Sequence, residues 1–451
     1  MMVESNFEDL EGLAVHTILK KLGPKDTVRV GCVSKRFRVL AEDESLWSHF
    51  YFEDLQLSSP VDPFSNPSPT FKEAYRLWRD SFSMYPWHLV LRVKRCWDRL
   101  KGWLKVNYPE ADASLRNGAS ELDISEAEKT MKVKLPLPTR VLYRFVDGQE
   151  LSLSSRPPAN AGASQASSLA PCGLIGGYTF YDHIIDVYLL PLRAVSLFTD
   201  RLNRRIGIHR FTRRSSNIVV ALSCTSSEKF FFLNCTNSQL YVGTRNLLVD
   251  GEMMPCVPPS LLSEHNQQDA LLLWLEEHCR RLESGIISVR KHHNIKTICH
   301  YPEQEPFCST AITSGVKIRA SSVFVPELSD LQSDVEKQWF SYSIRMSLVP
   351  EGCVVSGMKL SSCQLYRRHW IIRAGDNVVS DVNGEGVIGE YPLLHPGESE
   401  YVYESCSSLP ATSGSIEGFF TFVPGRLSDP RGSQFDVAVA QFPLRVPDFI
   451  F

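Results

Sequence analysis

Apolar positions along residues 7–52 recur at helical spacing. Val15, Ile18, Leu19 and Leu22 fall at i, i+3, i+4 and i+7 and predict a first helix with one apolar stripe, stopped by Gly23-Pro24. Asp26 is a candidate N-cap for a second short helix, followed at helical spacing by Val30, Val33, Phe37 and Leu40, and Leu46, Trp47 and Phe50 mark a third turn. A segment this short leaves a large share of its apolar surface wet if it folds alone. Each Leu or Ile left exposed forgoes roughly 1.5 to 3 kcal/mol. The pattern therefore predicts a surface held ready for another protein.

Residues 58–69 (SSPVDPFSNPSP) predict a semi-extended Pro/Ser-rich connector. Beyond it Phe71, Ala74, Tyr75 and Trp78 share one helical face, and residues 87–106 carry Leu100, Trp103 and Leu104 at core spacing. Residues 124–148 read as a short acidic helix, a stop, and a helix from Pro138-Thr139 that turns Val141, Leu142, Phe145 and Val146 inward and ends at Asp147-Gly148. Residues 154–171 (SSRPPANAGASQASSLAP) cannot bury enough apolar area to offset their ordering entropy and predict a disordered surface loop. Strands follow at 178–181, 187–192, 218–222, 230–233 and 240–242, and then an amphipathic helix over 269–282 with Leu271, Trp274, Leu275, His278 and Leu282 on one face. From Thr313 the period becomes two: Phe340, Tyr342, Ile344, Met346 and Leu348 alternate with Trp339, Ser341, Ser343, Arg345 and Ser347, giving one apolar and one mostly polar face. Short strands at 316–318, 323–325, 370–372, 419–423 and 435–439, parted by turn residues, indicate a β-sandwich.

Composition narrows the class. A chain of 451 residues with 43% hydrophobic and 22% charged residues is an ordinary globular protein of two to four domains. The net charge of -3 argues against a coat of basic residues for nucleic acid. With early carboxylates, no apolar leader and no run of 18 apolar residues, the expectation is a soluble intracellular protein of the nucleus, the cytoplasm or both, with no membrane partner. The twelve cysteines show no paired spacing, so reduced, mostly buried thiols are expected. Cys299-His300 with His292, His293 and Cys308 is the one crowding of soft ligands, and it lacks the spacing of a zinc site; no metal and no cofactor are expected.

Three resemblances attach to these residues. Leu10-x-x-Leu13, Ile18-Leu19, Leu22, Asp26, Val33-Ser34-Lys35-Arg36-Phe37, Leu40, Asp43 and Leu46-Trp47 are similar to the F-box, with Glu11 where the family usually has Pro. That resemblance implies docking on the Skp-type adaptor of a cullin-RING ubiquitin ligase, with Leu10, Leu13, Ile18, Leu19, Leu22, Val33, Phe37, Leu46 and Trp47 as the adaptor-binding residues. The run Glu128 to Pro136, with Leu142, Phe145 and Asp147-Gly148, resembles the SMI1/KNR4 (SUKH) fold, an α+β interaction module that brings no catalytic residues. Arg368-His369-Trp370-Ile371-Ile372, Gly384 to Gly389, Glu390 to Leu394, Pro396-Gly397 and Ser415 to Gly418 resemble the ApaG domain, which implies a fibronectin-III-like sandwich over 312–451. The expected layout is a multidomain α+β chain: F-box 7–52, Pro/Ser linker 53–70, SUKH-like domain 71–286 containing the loop 154–171, linker 287–311, and all-β ApaG domain 312–451. The function these resemblances imply is that of a non-catalytic substrate receptor of an SCF ligase, its target protein unknown.

Gly384, Gly386 and Gly389 also spell G-x-G-x-x-G. A dinucleotide site needs a following helix to hold the pyrophosphate, whereas Pro392 and Pro396 follow here, so the glycines read first as a tight inter-strand loop. Loop amides can still form an anion nest, and the ApaG resemblance implies an association with pyrophosphate, which leaves a phosphate- or nucleotide-binding protein as the alternative function. His369 has no nucleophile motif near it and reads as a strand residue. Arg201, Arg204, Arg205, Arg210, Arg213 and Arg214, interleaved with Ile206, Ile208 and Phe211, read as a solvated hairpin, with phosphate or an acidic strand as the sharper option.

Overall fold

The computed structural model describes residues 11–151, 172–180, 183–205, 216–223, 229–262, 269–292, 295–332 and 338–450. The chain divides at Asp98 into two compact units.

The first unit is helical. α1 (Gly12–Leu22) ends at Gly23, whose φ of 82° turns the chain and lets Pro24 open α2 (Pro24–Val30) at its first position. Asp26, expected as the cap of that helix, lies in its first turn and pairs with Arg29 at 2.8 Å, because Pro24 starts the helix earlier. Ser34 caps α3 (Lys35–Ala41) by accepting from the Phe37 amide, and Asp43 caps α4 (Glu44–Leu55) by accepting from the Ser45 amide at 2.8 Å. The Trp47 indole donates to the Ala41 carbonyl at 2.7 Å, and the Thr27 hydroxyl to the Leu19 carbonyl at 3.2 Å, so the helix ends are tied from inside. Residues 58–69 are a folded-back loop, where a semi-extended spacer was expected. Tyr51 and Trp78 both hydrogen-bond the Val61 carbonyl, at 2.6 and 2.9 Å, fixing the loop between α4 and α5 (Phe71–Ser81). The unit closes with the first half of α6 (Trp87–Asn107), within which the division at Asp98 falls.

The second unit holds α7 (Pro109–Ala113), α8 (Glu121–Met131), α9 (Leu137–Phe145), α10 (Leu192–Arg205) and α11 (Ala270–Glu283) around an eight-stranded sheet. Its strands are β1 (Gly176–Phe180), β2 (His183–Leu189), β3 (Asn217–Ser223), β4 (Phe230–Asn234), β5 (Leu240–Gly243), β6 (Met253–Pro255), β7 (Ser288–His292) and β8 (Ile295–Cys299), in the order β6-β5-β4-β3-β2-β1-β8-β7. Every residue of β3 is buried, as its near-continuous apolar run requires of a strand covered on both faces. Asp269 caps α11 and also accepts from the Thr139 amide and hydroxyl at 2.8 and 2.6 Å, locking α9 to α11 in the interior.

Three expectations change. Residues 287–311, expected as a linker, hold β7 and β8 and complete the sheet: β8 pairs in parallel with β1 at Cys299 and Gly177. Leu192, expected in a strand, opens α10. Asp147 and Gly148 lie in a short strand, Val146–Gln149, where Asp147 accepts from the Leu192 amide at 2.8 Å. The expected disordered loop 154–171 lies wholly outside the described residues.

The C-terminal β-sandwich packs a sheet of β9 (Cys308–Thr313), β10 (Val316–Phe324), β11 (Gln338–Leu348) and β14 (Tyr401–Leu409) against one of β13 (Asn377–Glu385), β12 (Cys363–Ala374), β15 (Ser413–Arg426) and β16 (Phe435–Arg445). Trp370 meets Tyr342, Phe420 and Phe442 edge-on between the sheets, and Tyr342 packs tilted against Phe442. The polar face of β11 is not solvated: Ser341, Ser343 and Arg345 are buried against the eight-stranded sheet. Ser341 Oγ lies 2.7 Å from Tyr301 OH, Arg290 donates to Ser343 Oγ at 2.7 Å, and Glu303 pairs with both Arg290 (2.7 Å) and Arg345. These side chains join sandwich and sheet through hydrogen bonds.

Candidate functional site

The residues expected to bind an adaptor fall into two groups. Val33 (72% exposed), Leu13 (77%) and Leu22 (45%) stand in solvent, and Ile18 is half-buried. Leu19, Phe37, Leu46 and Trp47 are buried, none more than 3% exposed. This second group corrects the expectation that all the apolar residues are kept for a guest: these four are the core on which α1 to α4 close. Leu10 lies outside the described residues. Val28 (49%) and Val39 (71%) add two exposed aliphatics that the motif residues do not include. The signal for them was only that each falls off the helix face that the core positions define. Residues 13–39 thus display five exposed aliphatic side chains on a scaffold fixed from within. Asp43 sets the turn between α3 and α4. The Ser45 hydroxyl, with the Ser45 and Leu46 amides, holds its carboxyl below the usual carboxylate range.

The glycine loop has another geometry. Gly384 is the next-to-last residue of β13, while Gly386 and Gly389 have φ of 58° and 74°; a Cβ on Gly386 would lie 2.5 Å from the Glu390 carbonyl oxygen. The Gly386 amide donates to Tyr366 O (2.8 Å), Val387 to Glu390 O (2.9 Å) and Glu390 to Val387 O (2.8 Å), so three amides an anion would need are already committed. Arg368 donates to the Gly386 carbonyl at 2.7 Å, and the strand Leu393–Leu394 follows the loop where a pyrophosphate site requires a helix. The arrangement is that of a tight turn.

His369 Nε2 lies 2.7 Å from Asp381 Oδ1 across the β12–β13 pair, its ring edge-on to Phe419. Arg201, Arg204 and Arg205 sit on the last turns of α10, Arg204 paired with Asp200; Arg210, Arg213 and Arg214, with Ile206, Ile208 and Phe211, lie outside the described residues. Among the soft ligands, Cys299 is buried beside Thr297, His300 Nε2 donates to the Ile175 carbonyl at 2.7 Å, and His293 lies outside the described residues.

Comparison with known proteins places these units in families. The F-box-like family matches residues 14–53 and the ApaG domain family residues 329–424. F-box protein SKIP16 of Arabidopsis thaliana is 54% identical over 98% of this chain and 99% of its own length. The chain belongs to the F-box protein family. F-box only protein 3 of Homo sapiens is 25% identical over 96% of this F-box protein and 81% of its own length. Protein ApaG of Nitrosomonas europaea is 35% identical over 30% of this chain and 91% of its own length. The architecture of this F-box protein is multidomain α+β: a small helical F-box, a mixed helix and sheet region, and a C-terminal ApaG sandwich. No described helix is long and apolar enough to cross a membrane.

Proposed function

We propose that this F-box protein is the substrate-recognition subunit of an SCF ubiquitin ligase, with no catalytic side chain of its own. A Skp-type adaptor covers the aliphatic side chains exposed on α1 to α3, and the SUKH-like region and the ApaG sandwich carry the surface that captures a target. The observation that carries this reading is the display of Leu13, Leu22, Val28, Val33 and Val39 within the F-box-matching segment. Burying each against a partner is worth roughly 1.5 to 3 kcal/mol as an upper bound. Catalysis then works by proximity: a target held beside the charged ubiquitin experiences a raised effective concentration of donor. The free state of every described cysteine supports an address in the reducing interior of the cell, in the nucleus, the cytoplasm or both.

The test uses exposed residues, because changing a buried one removes the scaffold along with the surface. Leu13→Asp with Val33→Asp should abolish co-purification with the adaptor while the circular dichroism and melting temperature stay as they were. Undiminished adaptor capture by that folded variant refutes the proposal. Leu19→Asp should lose capture by unfolding the helices.

A further inference from the structure

In the second unit a cavity of about 470 Å³ opens between α11, the eight-stranded sheet and the sandwich. Six aromatic side chains line it: Tyr178, Phe231, Trp274, Phe324 and Phe449, with Phe307, 60% exposed, at the rim. Of the charged groups around it, Lys229, Arg280, Arg281 and Glu277 are paired, and Glu305 also lines it. Lys229 meets Glu327 at 3.3 Å and donates to Tyr178 OH, while Arg280 and Arg281 each hold Glu277 at 2.7 Å. Two histidines in the wall are neutral donors: His278 stacks on Trp274 with ring centroids 5.1 Å apart and gives its Nε2 proton to the Leu174 carbonyl, and His300 gives its own to Ile175. Burial pushes them down to about 4 and about 3. With both histidine protons already given to carbonyls and Lys229, Arg280 and Arg281 paired, what the cleft offers a ligand is chiefly aromatic face and the Trp274 indole donor.

The chain itself shows what fits there. After β16 the residues Pro447 to Ile450 leave the sandwich and run to the cleft, where Pro447, Phe449 and Ile450 line its wall. The Trp274 indole donates to the Ile450 carbonyl at 3.1 Å, and the Ile450 amide donates to Pro255 O at 3.4 Å. An irregular peptide with an aromatic and then an aliphatic residue is thus seated by one indole donor, one carbonyl and ring faces. Pro447, Phe449 and Ile450 are only half-buried and Asp448 is exposed, and among the described residues beyond Val446 these are the two backbone hydrogen bonds that hold it.

We infer that this cleft is a peptide-binding site for an extended segment of a target protein bearing consecutive aromatic and aliphatic residues, and that the chain's own residues 447–450 are a resident strap such a segment displaces. Recognition uses side-chain pockets plus a backbone carbonyl for Trp274, the division of labour of peptide grooves generally. The inference deepens the receptor reading, on which its choice of a target protein rests. Its assay contains no adaptor, so failure of adaptor capture and failure of the cleft are told apart.

The probe is a fluorescein-labelled, C-terminally amidated peptide of residues 446–450, Val-Pro-Asp-Phe-Ile, followed by anisotropy. The full chain carrying Phe449→Ser and Ile450→Gly, its strap weakened, should bind the probe at least tenfold more tightly than the unaltered chain. Adding Trp274→Phe, which keeps a ring and removes the donor, should weaken binding about fivefold to tenfold, the worth of one hydrogen bond. Equal binding by the unaltered and weakened chains, no binding by a weakened chain of unchanged melting temperature, or exchange of straps between two copies seen as a dimer by light scattering would each overturn the inference. Should the double change itself lower the melting temperature, the probe carries a benzophenone at its Phe position and is offered in excess to the unaltered chain. Attachment within 229–231 or 274–281 supports the site, and attachment elsewhere or none rejects it.

Discussion

Glu303→Ala tests how sandwich and sheet are joined. Glu303 is largely buried between Arg290, at 2.7 Å, and Arg345, with Arg319 at 3.8 Å. Removing the carboxylate leaves two nearly buried guanidiniums with weaker company, Glu404 at 3.3 Å from Arg290 and Glu400 at 3.8 Å from Arg345. Breaking a buried pair from one side destabilises by about 3 to 5 kcal/mol. The surviving contacts argue for the lower end, about 3 kcal/mol. A unit of roughly 350 residues, at about 2.1 cal/mol/K of unfolding entropy per residue, should then melt about 4 °C lower. Calorimetry of the full chain reads this directly, and Glu303→Gln, which keeps one acceptor, should lose less. Burial pushes the Glu303 carboxyl up, but the Arg290 and Arg345 guanidiniums outweigh it and hold the group below its ordinary 4.5. Its contribution is therefore complete above that value and disappears only as acid protonates the folded state. A Glu303→Ala chain melting within a degree of the unaltered one would refute the view that this ion cluster fastens the two layers.

Burial pushes the carboxyl of Asp186, which accepts from the Gly173 amide at 2.7 Å, up to about 7. The folded state then binds the extra proton, so stability should fall as pH rises from 3.8 to about 7. Asp186→Asn should flatten that part of a denaturant-midpoint profile. His278 and His300 act oppositely: held below their ordinary 6.5, they let the unfolded chain take the proton, and stability should fall as pH drops from 6.5 toward 4. A profile without either slope would contradict these environments. Gly176 has φ of 75°, and a Cβ there would sit 2.2 Å from the Ile298 carbonyl oxygen, so Gly176→Ala should part β1 from β8 and appear as rapid amide exchange over 295–299.

Much of the fold is written in local periodicity. The stripes of α5 and α11 and the alternation of β11 identify those elements because each repeats over three or more turns or pairs. An apolar stripe, however, states which face avoids water and not what covers it. Leu19, Phe37 and Trp47 are therefore indistinguishable by spacing from Leu13 and Val33, although the first three are core and the other two stand in solvent. The strands β7 and β8 are short and mixed in polarity; they pair with each other, and β8 joins the sheet through β1 more than a hundred residues earlier, so periodicity alone does not reveal them. Spacing marks Ser341 and Ser343 only as members of a mostly polar face, because the partners that bury them, Tyr301 and Arg290, are 40 and 53 positions away. The aromatic cleft has the same origin: its wall is assembled from β1, β4, α11 and the final residues, which meet only in three dimensions.

The hydroxyl and guanidinium seam along β11 bears on how this chain came to be built of such parts. A joint made of grease would leave a sticky scar whenever its halves came apart, during synthesis or after cleavage. One made of Ser341, Ser343, Arg345 and their partners hands the same groups to water with little loss. The sandwich, whose relative Protein ApaG spans hardly more than this one domain, thus meets the larger body along this seam through groups that water can also satisfy.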